Sequence, residues 1–413
     1  MKTQLERIQR DIEALSAFNA TPGQGLTRLS FTPEHAQAAQ YIQQAMEAAG
    51  LKVRTDPIGT LIGRLEGTDP TAPVVMVGSH FDSVKHGGNF DGPAGIVTAL
   101  ETARVIHDEG ITPRHPMEFV AMIEEEGARF GSGLFGSRGM TGRLTQEELA
   151  SNHDDQGIST AQAMEAFGLD PARYRDAVRP KGEIGSFLEL HIEQGPILES
   201  TGTQVGIVET VVGICNLEIT IEGRPDHAGT TPMDMRADAL LAAAKLTLFV
   251  NQAAIQAGNG TVGTVGKLSL LPGSGNIVPG WVQFTVDVRS PRGDCVNQVR
   301  EALFEEIRRL TQENDQLTIK VRTLMEMDPV TLDPHVRQVL QEQGEAAGLT
   351  TRTMSSGAGH DAMVMADIAH VGLVFVPSKG GRSHCPEEWT DYNQLQNGVE
   401  LVCRTAMALA AEE

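Results

Sequence analysis

Positive charge is scarce in this chain: 33 Lys and Arg stand against 54 Asp and Glu, a formal net charge of −21. That balance argues against nucleic acid as a partner, because phosphate contacts need clustered Lys and Arg. An anionic substrate would also meet an unfavourable overall field and need a local cation. Cysteine is as sparse. Cys215, Cys295, Cys385 and Cys403 lie far apart and form no Cys-x-x-Cys pair, which removes a zinc knuckle and a thioredoxin-like motif. In a reducing cytosol they read as free thiols. Cys385 stands beside His384, but neighbours in sequence rarely face one another and no second base is evident, so a nucleophilic dyad is not expected. No apolar run approaches the ~20 residues needed to span a bilayer. The start, Met1-Lys2-Thr3-Gln4-Leu5-Glu6-Arg7, lacks the apolar core of a signal peptide, so the expectation is a cytoplasmic protein without membrane contact.

What is present is an ordinary globular composition, 40% hydrophobic and 21% charged, over 413 residues. That length exceeds what one core usually supports, so about two domains are expected. The first ~210 residues alternate strand-like and helix-like segments, with amphipathic helices over 8–18 and 33–49 and a helix over 94–109 opened by Gly92-Pro93. This is an α/β pattern. Between about 212 and 328 the order becomes strand (214–221), helix (235–256), strand (261–270), strand (281–288), helix (292–313), strand (317–323), a βαββαβ or ferredoxin-like unit. A helix over 334–347 and a strand over 371–376 then resume the first pattern. The predicted architecture is a mixed sheet flanked by helices, a discontinuous catalytic domain over 1–211 and 329–413, interrupted by an inserted domain over 212–328. Gly258-Asn259-Gly260-Thr261-Val262-Gly263 fits a dinucleotide fingerprint but follows a helix and precedes a strand, the reverse of the required context, and reads as a helix-ending turn.

Acidic and histidine residues follow the apolar runs. Residues 74–78 lead into His80 and Asp82, residues 117–123 into Glu124-Glu125-Glu126, the run 187–192 carries His191, and the run 371–376 precedes a glycine-rich loop that delivers His384. In open α/β sheets ligands bind beyond the carboxyl ends of strands, so these residues are placed to converge. A hydrolytic pair of divalent ions needs a short bridging carboxylate, for which Asp91 is the candidate, and neutral imidazoles to complete each shell. Within the three glutamates one carboxylate can bind metal while its neighbour takes a proton. Asp82, two residues from His80, can steady its imidazole. Singly, each feature has a plainer reading: Asp91-Gly92-Pro93 as a turn, the glutamates as a solvated face, His191 as a core histidine. Their conjunction at four strand ends carries the weight.

The blocks Gly78-Ser79-His80-Phe81-Asp82, Gly87-Gly88-Asn89-Phe90-Asp91-Gly92-Pro93, Glu124-Glu125-Glu126-Gly127, Leu190-His191-Ile192-Glu193-Gln194-Gly195, Asp226-His227-Ala228-Gly229-Thr230-Thr231-Pro232 and Ser356-Gly357-Ala358-Gly359-His360-Asp361 closely resemble the hydantoinase/carbamoylase family of amidases, within the larger clan of dinuclear aminoacylases and carboxypeptidases. The resemblance implies two divalent ions per subunit, zinc or manganese with cobalt or nickel possible. His80, Asp91 and His191 would hold one ion, and Asp91, Glu126 and His384 the other. Glu125 takes the place of the general base, Asp82 that of the carboxylate behind the ligands, and His227 that of the oxyanion-stabilising histidine. Asn276 and Arg289 would bind the substrate carboxylate, a planar guanidinium suiting that role. Gln194, Gly357, Ala358, Gly359 and His360 would line the pocket. The inserted domain would act as lid and homodimerisation module.

The expected activity is hydrolysis of the ureido C–N bond of an N-carbamoyl-L-amino acid to amino acid, ammonia and carbon dioxide. Allantoate amidohydrolase is the alternative, since the carboxylate clamp is shared and the side-chain pocket is not legible. An aminoacylase or dipeptidase is disfavoured by His191 and the His-Ile-Glu-Gln-Gly block. A non-catalytic binding protein is disfavoured by the intact Glu125 and ligand set.

Overall fold

A computed structural model describes residues 2–413, which fold as two compact units. The first comprises the chain up to Glu209 together with Leu332–Met354 and Gly359–Glu413. The second is Thr210–Thr331 with the short segment Ser355–Ala358, slightly wider than the insertion the periodicity suggests. In chain order the first unit contributes strands β1 (Lys52–Thr55), β2 (Leu61–Leu65), β3 (Val74–His80), β4 (Met117–Met122), β5 (Ile184–Ile192) and β6 (Val205–Val211). The second follows with β7 (Gly213–Glu222), β8 (Asp226–His227), β9 (Val262–Leu271), β10 (Ile277–Val278), β11 (Trp281–Ser290), β12 (Thr318–Met327) and β13 (Val330–Thr331). The chain then returns through β14 (Thr351–Ser356) and β15 (His370–Val376).

In the first unit the hydrogen-bonded order is β1-β2-β4-β3-β5-β15-β6. Its middle four strands, β4, β3, β5 and β15, are mutually parallel, while β2 and β6 run antiparallel to them. Every residue of β3 and β4 is buried, as a parallel sheet covered on both faces requires, and this is why these strands read as unbroken apolar runs rather than as alternation. Parallel pairing has a second consequence. The carboxyl ends of all four strands emerge on one edge, in register: His80 of β3 stands beside Met122 of β4, and His191 of β5 beside Phe375 of β15.

The helix Pro93–Asp108 starts where the sequence suggests, with proline in its first turn, and is buried almost all round. The short strands β1 and β2 were not foreseen. They flank an Asp56 turn whose carboxylate accepts the backbone N–H groups of Ile58, Gly59 and Thr60. Asp is a turn former for this reason.

The second unit carries a four-stranded antiparallel sheet in the order β12-β7-β11-β9. Helices Ala239–Ala257 and Gly293–Glu313 supply the other half of its core, with Leu246, Val250, Val299 and Leu303 buried together with Leu217, Ile219, Phe284 and Val286. In β11 burial alternates strictly, the mark of a sheet covered on one side. The first of these helices begins at Ala239 rather than near 235, because Asp238 accepts the N–H of Leu241 and residues Met233–Met235 form a separate 3-10 turn. It also corrects the expectation of no span-length apolar run. At 19 residues and mean hydropathy 1.2 it is long and apolar enough by length and composition. Its alanine-rich face packs in the core of this unit, while Leu241, Leu248 and Ile255 face outward. At its end Gly258, Asn259 and Gly260 all take positive φ, the turn expected in place of a dinucleotide loop.

One buried cation braces the exit of β3. Arg28 is fully buried, and its guanidinium donates to the carbonyls of Phe81 (2.6 Å) and Leu15 (2.6 Å). Its own backbone exchanges hydrogen bonds with Ser83, so residues 81–83 are held on both sides of Asp82. Replacing Arg28 by Met strands two buried carbonyls and is expected to lower unfolding stability by about 3 kcal/mol, measured by urea titration.

Candidate active site

The edge where the four parallel strands end gathers the acidic and imidazole groups of the first unit. His80 closes β3, His191 sits one residue before the end of β5, Glu125 and Glu126 follow β4, and His384 arrives on the loop after β15. Asp91 comes from the turn before helix Pro93–Asp108. Gly92 makes that turn possible. It takes φ +81°, and a Cβ there would lie 2.5 Å from the His80 ring, so only glycine lets Asp91 approach the imidazoles.

Asp91 divides its two oxygens between two groups. Its Oδ1 lies 3.1 Å from His191 Nε2 and 3.6 Å from His80 Nε2. Its Oδ2 lies 3.1 Å from His384 Nε2, which is in turn 3.3 Å from Glu126 Oε1. Three overlapping triads result, His80/Asp91/His191, Asp91/Glu126/His384 and His80/Glu125/Glu126, with donor atoms all within 4.8 Å of one another.

The tautomers show that a cation fits. His80 Nδ1 faces the carbonyl of Asp82 at 3.2 Å and His191 Nδ1 that of Ile192 at 3.1 Å. A carbonyl only accepts, so each Nδ1 carries a proton; Nε2 is a lone pair in the neutral ring, and although burial resists it, the neighbouring carboxylates raise the proton affinity of both rings. These two nitrogens stand 3.4 Å apart and both face Asp91. Lone pairs aimed at one another repel unless a positive charge lies between them. Glu126 Oε1 faces the same cluster, with His384 Nε2 at 3.3 Å. Nitrogen and carboxylate donors of this kind suit zinc, manganese, cobalt or nickel.

The electrostatics follow from the crowding. Burial pushes Glu125 well above the usual carboxylate range; His80 opposes this and Glu126 adds to it. Asp91 moves the other way: burial resists, but the imidazoles of His191, His384 and His80 hold it well below its ordinary value. Hydrogen bonding to Asp91 and then Glu126 pushes His384 up to about 11. A divalent ion here would favour the charged form of every carboxylate that it meets.

Asp82 serves the site differently from the sequence expectation. Its carboxylate accepts the backbone N–H groups of Glu125 (3.1 Å) and Glu126 (3.2 Å), while standing 3.6 Å from His80 Nδ1. It therefore fixes the loop that carries both glutamates as well as facing the imidazole. Glu124 turns away, accepting the N–H groups of Arg129 and Phe130. Of the three consecutive glutamates, two face the cluster and one holds the loop. Gln194 donates from Nε2 to Asp91 Oδ2 at 2.6 Å, and His360, 1% exposed, packs against the His191 ring at 4.5 Å between centroids. Glu124, Gln194 and His384 all adopt positive φ, strain that accumulates where geometry is imposed by function.

In the second unit, His227 and Asn276 lie together: β8 pairs with β10, and the carbonyl of Asn276 accepts from Ala228 N at 2.9 Å. His227 Nδ1 accepts from Gly229 N and Thr230 N, which leaves Nε2 protonated and free to donate. Arg289 on β11 binds Asp287 through Nε and Nη2 and the carbonyl of Gly357 through Nη1. Ala358 N donates to Ser356 Oγ, so the loop 355–358 is folded upon itself. Gly359 begins the return to the first unit.

Sequence reasoning missed Ser383 and Glu388. Ser383 Oγ lies 2.8 Å from Asp91 Oδ2 and 2.7 Å from Glu388 Oε2. Burial and then the Asp91 charge push Glu388 up to about 7. No sequence signal marks Glu388, which only the fold shows to be buried, 4% exposed, in a loop otherwise rich in exposed polar residues.

Residues 70–408 match the peptidase family M20/M25/M40. The chain belongs to that family. Its members are metal-dependent, in keeping with the donor clusters just described. An N-carbamoyl-L-amino-acid amidohydrolase of Paenarthrobacter aurescens is 47% identical over 408 residues, covering 99% of this chain and 98% of that protein. An allantoate amidohydrolase of Escherichia coli strain K12 is 35% identical over 405 residues, covering 98% of each. Among solved structures, a hydantoinase/carbamoylase family amidase from Burkholderia multivorans superposes with TM-score 0.92 at 33% identity, over 100% of this chain and 99% of that one.

Removing metal from this family member with a chelator is expected to lower Tm, because the buried acidic groups lose their counter-charge. Readdition of Mn²⁺ or Zn²⁺ at a hundred times its Kd should restore about 2.7 kcal/mol. His191→Ala should abolish most of that metal-dependent shift in a thermal melt.

Proposed function

We propose that this protein hydrolyses the ureido C–N bond of N-carbamoyl-L-amino acids, yielding the amino acid, ammonia and carbon dioxide. The observation that carries the reading is the split of Asp91, one oxygen toward His80 and His191 and the other toward His384, beside Glu125, whose carboxylate faces His80 while Asp82 holds its main chain. The 47% identity to an N-carbamoyl-L-amino-acid amidohydrolase, over nearly the whole of both chains, supports the substrate class.

Two divalent ions per subunit are proposed, zinc or manganese, held by His80, Asp91 and His191 and by Asp91, Glu126 and His384. When bound, such ions polarise a carbonyl and lower the pKa of water. The chain's own residues do the rest. Glu125, 3.8 Å from His80 Nε2, takes the proton of the attacking water and returns it to the leaving nitrogen; burial raises its affinity for that proton. Asp82 keeps Glu125 in place through its backbone. The role proposed for His227 is donation from Nε2–H to the developing oxyanion, and for Asn276 and Arg289, the latter paired with Asp287, binding of the substrate carboxylate. Gln194, Gly357, Ala358, Gly359 and His360 line the substrate's surroundings. A cytoplasmic homodimer formed through the second unit is part of the same reading, supported by the outward Leu248 and Ile255, 66% and 71% exposed on one helix.

Allantoate hydrolysis is the second reading, supported by the 35% identity to an allantoate amidohydrolase. Ammonia release from N-carbamoyl-L-amino acids, allantoate and an N-acetyl amino acid at equal concentration separates the cases. Preference for the carbamoyl substrates is expected; preference for allantoate would transfer the assignment, and activity on the acetyl control alone would overturn both. Glu125→Gln should cut kcat by roughly 10²- to 10⁴-fold with metal content unchanged by elemental analysis. Undiminished turnover would remove Glu125 as the base.

A further inference from the structure

Two of the three donors of the second proposed cation position, Asp91 and His384, come from loops far apart in sequence, while the third, Glu126, follows β4. Asp91 ends the loop 87–92 and His384 lies in the loop between β15 and helix Tyr392–Leu409. They are joined through one side chain, that of Glu388. Glu388 Oε1 accepts the backbone N–H of Phe90 (2.9 Å) and of Asp91 itself (3.0 Å). Its other oxygen stands 2.7 Å from Ser383 Oγ, the residue before His384, and that hydroxyl lies 2.8 Å from Asp91 Oδ2. One carboxylate thus holds the main chain of the shared ligand from one side and, through a hydroxyl, its side chain from the other.

The surroundings are built to this carboxylate. A Cβ on Gly88 would lie 2.2 Å from Glu388 Cδ and Oε1 and 2.3 Å from its Cβ, so position 88 is kept open for it. Beside the hydrogen bonds, Phe90 packs edge-on against Trp389 (5.2 Å between centroids), and both meet Tyr392. The aromatic trio clamps the residues next to Asp91 and Glu388, which are therefore fixed relative to each other by packing as well as by hydrogen bonds.

The first position has no counterpart. His80 and His191 belong to strands β3 and β5, which the sheet itself aligns. Both positions share Asp91, but the second adds His384, a further loop-borne donor whose place relative to Asp91 no strand pairing sets. We propose that Glu388 is a positioning residue that locks the Asp91 and His384 loops together and thereby sets the affinity of the cation position formed by Asp91, Glu126 and His384, while leaving that of His80, Asp91 and His191 largely unchanged. The inference rests on the two-ion reading above.

The test is metal content, by elemental analysis, of the full chain equilibrated with Zn²⁺ against increasing chelator. Three variants are compared with wild type: Glu388→Leu, which keeps bulk but accepts nothing; Ser383→Ala, which keeps both bonds to the main chain; and Glu388→Gln, which keeps an acceptor for them and adds a donor for Ser383. Wild type should bind two ions. Glu388→Leu and Ser383→Ala should release one of them at roughly 10- to 100-fold lower chelator strength, the range seen for groups that orient ligands, and retain the other. Glu388→Gln should behave as wild type. A merely structural role would loosen both ions together in Glu388→Leu and leave Ser383→Ala untouched, and that pattern would overturn the proposal, as would two-ion retention in both variants. A wild type that binds a single ion would instead bring down the two-ion reading on which the inference stands. Should Glu388→Leu fail to fold, Ser383→Ala decides alone.

Discussion

The constraint on which the first unit depends is the confinement of like charge at one sheet edge. Asp82, Asp91, Glu125 and Glu126 are gathered there with little access to water, and burying carboxylates without compensation is costly. Asp91 is relieved by three imidazoles, Asp82 by two backbone N–H groups and by His80. Glu125 and Glu126 are not relieved to the same extent, and their affinity for protons rises accordingly. Carboxylates of raised proton affinity beside imidazoles that converge on Asp91 form a donor set suited to a cation.

Parallel pairing supplies the means. In an antiparallel sheet alternate strand ends would point to opposite edges, and His80, His191 and the glutamates could not meet without long loops. Here β4, β3, β5 and β15 deliver their carboxyl ends to one edge, the glutamates follow directly on β4, and Asp91 and His384 arrive on turns farther along the chain. The turn at Gly92 and the brace at Glu388 are the local solutions for those two. Positive φ at Glu124, Gln194 and His384 marks the same economy: each lies just beyond a strand or in a loop where the side chain has to be turned back over the sheet edge. Such conformations persist only where several contacts determine them together, and Gln194 is fixed at both ends, its N–H by Ser378 and its amide by Asp91.

Much of this was legible in the sequence. Unbroken apolar runs identified the buried parallel strands, the change to alternating order identified the βαββαβ segment, and acidic or imidazole residues just beyond the runs identified the cluster. What was not legible has physical reasons. Strands β1 and β2 are short and partly exposed and carry no strong period. The helix expected from 235 began at 239 because a local Asp238 cap outcompeted an apolar pattern that extends past it. Asp82 was expected to serve the imidazole through its side chain, yet β3 ends at His80 and the chain turns, so the same carboxylate also reaches the backbone of the next strand's loop. Glu388 looked like surface acid in Pro-Glu-Glu-Trp. Only three-dimensional contact distinguishes it from its neighbour Glu387, which is exposed and paired with Arg382.

Glu387 and Glu388 thus show how position converts one chemistry into two functions. The exposed pair with Arg382 is worth little, since solvent screens it and both side chains lose freedom to form it. The buried carboxylate one residue later accepts two main-chain N–H groups that have no water to turn to, so its loss would strand both. The same contrast separates Glu124 from Glu125. Both are buried, but Glu124 spends its carboxylate on the N–H groups of Arg129 and Phe130, whereas that of Glu125 faces the imidazole of His80. A carboxylate committed to main-chain donors is held in place, a support, even where burial raises its proton affinity as at Glu124 and Glu388. One left facing an imidazole in a dry site retains a proton affinity that the reaction can use, and this difference in commitment, rather than in residue type, separates the scaffold from the chemistry.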